Sequence, residues 1–471
     1  MSTKISLSKA ILFEKPEKVH ALIRAGADVH EKDPYGLTPL IEATLKEDLG
    51  IAQALLEHGA KVDQQDISGQ TALQWAVNRY QKPFCELFLE AGANPNHHSA
   101  DGQPLLVNPF LREQSDLLQL LKDYGAILQP TYDFIEAKLM GHRYELKGRA
   151  KVVNAKNRFV TFDLEGFYVE FTVGLVLKSL DDFMKSPMGD RFRAYATVLS
   201  QVRKAFRNAA TIIPEKYLKK GSVHNTNLIQ TIMKEPLVFI PVSYEGHAIS
   251  FVRYGHYLAK CDRGVRHIVD TVVIHKVGKP AILNPDFLSD LMFSNKSNEY
   301  ILNTLKHVLA LEPMSTLPAR YQLSGNCSWA NVEAAVPAMM FLLMFGGNWK
   351  ALGEVGALKK SVMDFYDAWI TWDQNRALER CISELKVADP KRQASLASLL
   401  AFVLFQRCRA SRPLEVERAK KILAILQIPS CAYILKSYIR IYQTKAAADS
   451  GQHFMELLQA CGLNLGDLRQ D

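Results

Sequence analysis

The sequence predicts an α-helical solenoid, followed by an α+β domain and an α-helical C-terminal region. Three observations carry that reading. Gly-Ala pairs recur every 33 residues at Gly26, Gly59, Gly92 and Gly125. Strand-like patterning takes over between Arg158 and Val277. Beyond Cys327 nearly every segment has helical spacing. The expected divisions are 1–128, 129–345 and 346–471.

A second landmark interleaves with the first. Gly36, Gly69 and Gly102 each stand 10 residues past a Gly-Ala pair. Around them lie Gly36-Leu37-Thr38-Pro39-Leu40, Gly69-Gln70-Thr71-Ala72-Leu73 and a weaker Gly102-Gln103-Pro104-Leu105-Leu106. Glycine suits a turn that needs positive φ, and Thr-Pro suits a helix start with proline in its first turn. Two phases at one 33-residue step resemble the ankyrin family over residues 1 to about 128. That resemblance implies a protein-binding module. Its contact residues sit at hairpin tips and on the concave face, where side chains vary without disturbing the stack. The candidates are Tyr35, Ser68, Gln74, Trp75, Arg79 and Tyr80, with Trp75 at the variable place of the Thr-Pro-Leu-His-x-Ala run.

Composition narrows the class. With 48% hydrophobic and 23% charged residues, the chain reads as an ordinary globular protein. Met1-Ser2-Thr3-Lys4 begins no signal-peptide core. The apolar run Ala334 to Phe345, broken by Pro337, is expected to be a buried helix and not a membrane span. Seven cysteines without paired spacing argue for a reducing compartment and against a disulfide framework. Cys85, Cys381, Cys408, Cys431 and Cys461 read as small buried apolar residues. His256, Cys261, His267 and His275 match no metal spacing, so neither metal nor cofactor is expected.

Charge divides unevenly. Residues 1–130 carry 12 Lys/Arg against 17 Asp/Glu, and the remaining 341 carry 45 against 32. A basic second half favours acidic partners, but its charges are dispersed and no RNA-binding signature accompanies them. A nucleoprotein complex stays open as a partner, and a membrane does not.

In the middle region, Arg158 to Asp163 and Phe167 to Val173 are expected to pair as a hairpin around Glu165-Gly166. Leu180 to Ala210 reads as helix. Leu237 to Val242, His247 to Tyr254, Tyr257 to Lys260 and Thr271 to Val277 then read as an antiparallel group, with Pro241 on an edge strand. Helices are expected at Asp364–Leu385, Ala394–Arg409, Leu414–Leu426 and Tyr433–Thr444.

Two segments of this region carry groups suited to chemistry. His247 opens one strand and Asp262 closes the next, as a histidine base and its orienting carboxylate require. Cys327 stands where a loop gives way to Ala-rich helix, so the helix N-terminus favours its thiolate. Free N–H groups there, with the Gln322 amide, would form an oxyanion hole. This order resembles papain-fold cysteine peptidases of the adenain, SUMO-protease and YopJ-type branch, over Pro236 to Ala335. Departures are the short Gln322–Cys327 spacing and Ala248 in place of an aromatic, and Asp270 is an alternative acid.

The whole arrangement resembles the ankyrin-repeat effectors of Legionella. That resemblance implies delivery by a type IV secretion system and action in host cytoplasm or nucleus. The expected activity is thiol-dependent acyl transfer by a peptidase, isopeptidase or acyltransferase, on a host protein recruited by the repeats. The alternative is a non-catalytic ankyrin adaptor with a degenerate protease-like scaffold.

Overall fold

In the computed structural model, the described residues are 6–214, 226–264, 271–322, 325–346, 352–444 and 449–463. The chain divides into two compact units. The first comprises Met1–Ala137, Arg149–Asp163 and Ala388–Ser398; the second comprises Lys138–Gly148, Leu164–Val387 and Leu399–Asp471. These groupings cut across the expected three-part division.

In the first unit, four helix pairs stack in order. They are α1 (Leu7–Phe13) with α2 (Pro16–Arg24), α3 (Pro39–Lys46) with α4 (Leu49–Glu57), α5 (Ala72–Asn78) with α6 (Lys82–Glu90), and α7 (Val107–Leu111) with α8 (Ser115–Asp123). Thr38 and Thr71 cap α3 and α5, each accepting from a backbone N–H three residues on at 3.2 Å. Before each cap an aspartate shapes the turn. Asp33 accepts from Tyr35 N and Leu37 N, and Asp66 accepts from Ser68 N and Gln70 N, all within 2.9 Å. One apolar core, including Leu40, Leu55, Leu73, Phe88 and Leu121, runs through all four pairs.

The turns pack against one another so closely that no side chain fits between them. A Cβ on Gly69 would lie 2.5 Å from Ala100 N in the next turn. Gly102 has no following repeat, yet a Cβ there would lie 2.7 Å from Thr161 O. The hairpin of β1 (Arg149–Val153) and β2 (Phe159–Asp163) thus occupies the place of a fifth turn and closes the stack. Helix α9 (Gln129–Arg143) supplies Phe134, whose ring lies 4.9 Å from that of Phe162. Arg392 bonds Asp133 at 2.9 Å, tying Ala388–Ser398 into the same unit. Pro130 stands in the first turn of α9, where proline fits a helix.

The expected pairing of Arg158–Asp163 with Phe167–Val173 is wrong. β2 pairs with β1, and Val169–Met184 is helix α10. Aromatic and β-branched residues at 167–173 mimic a strand locally. Over a longer window Val173, Val176, Leu180 and Phe183 recur at helical spacing, and all four are fully buried.

The second unit is built on a five-stranded antiparallel sheet in sequential order: β3 (Leu237–Tyr244), β4 (His247–Tyr254), β5 (Tyr257–Cys261), β6 (Val272–Val277) and β7 (Leu311–Leu317). Pro241 does lie on an edge strand, β3. Ahead of the sheet come α11 (Ala196–Ile212) and α12 (Thr226–Met233); α13 (Pro285–Phe293) and α14 (Leu305–Leu309) fall between β6 and β7. Helix α15 (Cys327–Phe345) packs across β4 and against α10, α11 and α16 (Leu352–Val387). At 19 residues and mean hydropathy 1.3 it is long and apolar enough to cross a bilayer, but 83% of it is buried in this unit. It is the core helix. Then follow α17 (Pro390–Arg407), α18 (Pro413–Leu426), α19 (Ala432–Thr444) and α20 (Asp449–Ala460), with Pro390 and Pro413 at helix starts.

Gly102 and Gly92 both hold positive φ, but a Cβ on Gly92 would meet open space. Gly92→Ala should cost about 1 kcal/mol for the left-handed backbone alone. Gly102→Ala should cost roughly 1–3 kcal/mol more, because β2 must also move. Denaturant melts of the two variants compare these directly; equal losses would show that the hairpin does not close the stack.

Candidate functional site

Cys327 is the first residue of α15, and His247 is the first residue of β4. Both line one cleft of about 750 Å³, together with Phe167, Tyr168, Tyr244 and Lys296. Cys327 is partly exposed and His247 exposed, as reacting groups require. Asp262 stands one residue beyond β5. The ladder pairs Ser250 with Cys261, so Asp262 falls opposite Ile249 and shares a sheet face with His247.

Tyr244 joins these groups. It pairs with His247 across the turn, with ring centroids 6.0 Å apart. Partial burial pushes its phenol up to about 12, with further contributions from Asp262, Cys327 and Glu245. The phenol is therefore neutral at physiological pH and keeps its proton to donate.

The four groups do not form a closed relay. Among the described residues no hydrogen bond joins His247 to Cys327 or to Asp262. The Asp262 carboxylate instead meets Lys260 Nζ at 3.2 Å and the Gly264 N–H at 3.3 Å. Gln322 lies by Asp262, not in the lining of the cleft: a Cβ on Gly264 would be 3.0 Å from Gln322 Nε2 and 3.6 Å from Asp262 Oδ1. Its backbone N–H donates to Arg263 O at 3.0 Å. Asp270 and His267 lie outside the described residues.

The sequence reading missed the group that aligns these elements. Asn331, one turn beyond Cys327, is 1% exposed. Its Nδ2 donates to Ala248 O and its Oδ1 accepts from the Arg263 N–H, both at 2.7 Å. One amide thus ties the cysteine helix to the residue after His247 and to the residue after Asp262. A polar residue four places from Cys327 in a mostly apolar helix was the available signal.

Deeper in, Arg263 is buried among carboxylates, 2.6 Å from Glu145 and 3.7 Å from Glu333. The indole N–H of Trp329 donates to Glu333, and its ring stacks on His142 with centroids 6.0 Å apart. Asn326, just before Cys327, donates to His142 O at 2.9 Å. Burial lowers the His142 imidazole from 6.5 to about 3. Five of the other six cysteines are poor nucleophiles by the same physics. Burial pushes the Cys85 and Cys408 thiols up to about 12 and raises those of Cys261, Cys431 and Cys461.

In the repeats, Tyr35 (68% exposed) and Tyr80 (47%) are available to a partner. Ser68 is also exposed. Trp75 is half-buried, donating to Asp66 at 2.9 Å, with the Arg79 guanidinium 5.7 Å from its ring. Gln74 is 2% exposed, inside the stack, so it is not a contact residue. Its place in the Thr-Pro-Leu-His-x-Ala run faces the core. Ile67, 72% exposed at a turn tip, was overlooked; an apolar residue between Asp66 and Gly69 was its signal.

The fold defines an ankyrin-repeat protein whose second unit carries a thiol and an imidazole on one cleft. A family model for ankyrin repeats in three copies matches residues 7–99. The chain is similar to the Legionella effector AnkH, with 35% identity, a TM-score of 0.78 and coverage of 98% of both chains. It belongs to the AnkH effector family. No curated protein matches it.

Asn331→Leu should lower stability by roughly 2–4 kcal/mol, since two buried backbone groups lose their partner. Asn331→Asp retains the acceptor for Arg263 and should cost less than the Leu variant; denaturant melts rank them. His142 generates a pH dependence. The unfolded chain takes up its proton near pH 6.5 and the folded chain only near 3, so stability falls as pH drops through that window. His142→Phe should flatten the fall relative to the parent in melts from pH 7 to 4. An unchanged slope would mean that the buried imidazole is not responsible.

Proposed function

We propose that the chain is a host-directed effector whose ankyrin repeats recruit a host protein and whose second unit performs papain-like acyl transfer. The supporting observation is that Cys327, at a helix N-terminus, and His247, at a strand start, line one cleft. His247 takes the Cys327 proton, and the thiolate attacks a substrate carbonyl. The tetrahedral intermediate collapses to a thioester as the leaving amine receives the proton held by His247. Water then releases the acyl group in a peptidase or isopeptidase; an amine or hydroxyl acceptor makes an acyltransferase. Asp262 orients His247 after parting from Lys260, and Gln322, which lies by Asp262 outside the cleft lining, turns inward to donate toward the oxyanion. Such bonds tighten in the substrate complex. Delivery by type IV secretion, with action in host cytoplasm or nucleus, belongs to the same reading.

A second reading has its own observation. The Asp262 carboxylate is engaged by Lys260, and the relay is open. On that view the cleft is a scaffold, and the protein acts as an ankyrin adaptor that disrupts a host complex.

A thiol-directed electrophile at neutral pH should label Cys327 first among the seven cysteines, and His247→Ala should slow that labelling about a hundredfold or more. Cys327→Ala should abolish turnover and leave capture of a host protein from lysate intact. Tyr35→Ala with Trp75→Ala should do the reverse, weakening capture by about 2 kcal/mol or more. Should Cys327→Ala retain every effect in host cells while the repeat variant loses it, the adaptor reading replaces the enzyme.

A further inference from the structure

The second unit contains another cavity, of about 460 Å³, that the acyl-transfer reading does not use. It is bordered by α16, the end of α17 and the strap at Arg320-Tyr321. Six arginines line it: Arg143, Arg263, Arg320, Arg407, Arg409 and Arg412. Ile370, Tyr321 and Tyr366 are the main apolar side chains in a lining otherwise made of charged and polar ones.

The acids present pair with four of these cations, and Arg143 meets the buried Asp373 at 2.6 Å. Glu145 is shared between Arg263 at 2.6 Å and Arg407 at 3.6 Å. Glu415 is engaged by Arg412 at 2.8 Å. Burial pushes the Glu333 carboxyl up to about 8, against the Arg263 guanidinium 3.7 Å away. Burial also raises Asp367, against the field of Arg320. Among the described residues Arg320 and Arg409 form no ion pair; Arg409 donates to the carbonyl of its neighbour Cys408. Six guanidiniums thus border one recess in which every close carboxylate is already shared or paired and two arginines are left over.

We propose that this cavity binds a compact ligand bearing two or more phosphate groups. Guanidinium forks match phosphate oxygens in bidentate pairs, which gives geometry as well as charge. An excess of cations around one recess is unfavourable when empty and favourable when a multiply charged anion fills it. The recess suits a small polyanion better than a nucleic-acid strand, which needs an extended basic track. The site concentrates the positive charge that the sequence distributes over its second half. It is independent of whether Cys327 turns over.

The test uses the full chain and inorganic tripolyphosphate as probe, followed by calorimetry at physiological salt. Saturable one-to-one binding is expected. Arg320→Ala with Arg409→Ala breaks no ion pair and should leave the fold intact while weakening binding about tenfold or more. Arg24→Ala with Arg158→Ala, exposed positions in the other unit, should leave it unchanged. No saturable binding, or equal weakening by both pairs of substitutions, overturns the proposal. Citrate binding as tightly as tripolyphosphate would overturn its phosphate chemistry in favour of carboxylates. Tighter binding of a single-stranded RNA, lost in the same cavity variant, would replace the small ligand with nucleic acid.

Discussion

The second unit depends on burying a helix that has no polar face to give to water. Helix α15 presents Val332, Ala335, Val336, Met339 and Phe341 around its circumference, all at most 1% exposed. It must be enclosed on every side, by β4 on one and by α10, α11 and α16 on others. Hydrophobic burial is non-directional and would accept many rotations of such a helix. Asn331 removes that freedom, because its two amide bonds reach named backbone atoms of β4 and of the residue after Asp262. An unpaired amide in this core would cost more than most single contacts return. The orientation of Cys327 toward the His247 strand therefore follows from satisfying one buried polar side chain.

The repeat unit obeys a different constraint, close approach of backbone. Its turns lie near enough that glycine alone fits at Gly69 and Gly102. The final turn still needs a neighbour, and β1–β2 supplies it from a stretch that lies beyond the fourth repeat. A solenoid whose last unit needs a polar outer face has here been closed by a hairpin instead. The exposed turn tips and the cleft thus rest on separate physical devices, periodic backbone contact in one unit and a pinned core helix in the other.

Membership of the AnkH family, with similarity along nearly the whole chain, means that both devices belong to one inherited architecture. The basic cavity lies against the same core: Arg263 follows Asp262, Tyr321 precedes Gln322, and Glu333 sits on α15. A buried polar network that is mostly paired rigidifies its surroundings, and among the described residues it leaves Arg320 and Arg409 outside any ion pair.

The sequence by itself determined whatever repeats or is local. The 33-residue step, the Thr caps, the edge position of Pro241 and the order His247, Asp262, Gln322, Cys327 are all properties of neighbours along the chain. So is the all-helical character beyond Cys327. Only tertiary structure decided the partner of Phe159–Asp163, because a strand's pattern states its alternation and not its mate. It decided that Val169 onward is helix, since burial of Val173, Val176, Leu180 and Phe183 outweighs local strand preference. It placed Gln74 in the core and Ile67 at a tip. It made Asn331 the clamp and gathered six arginines scattered between 143 and 412 around one cavity. Contacts between residues far apart in sequence leave no periodic trace along the chain, and the fold alone brings them together.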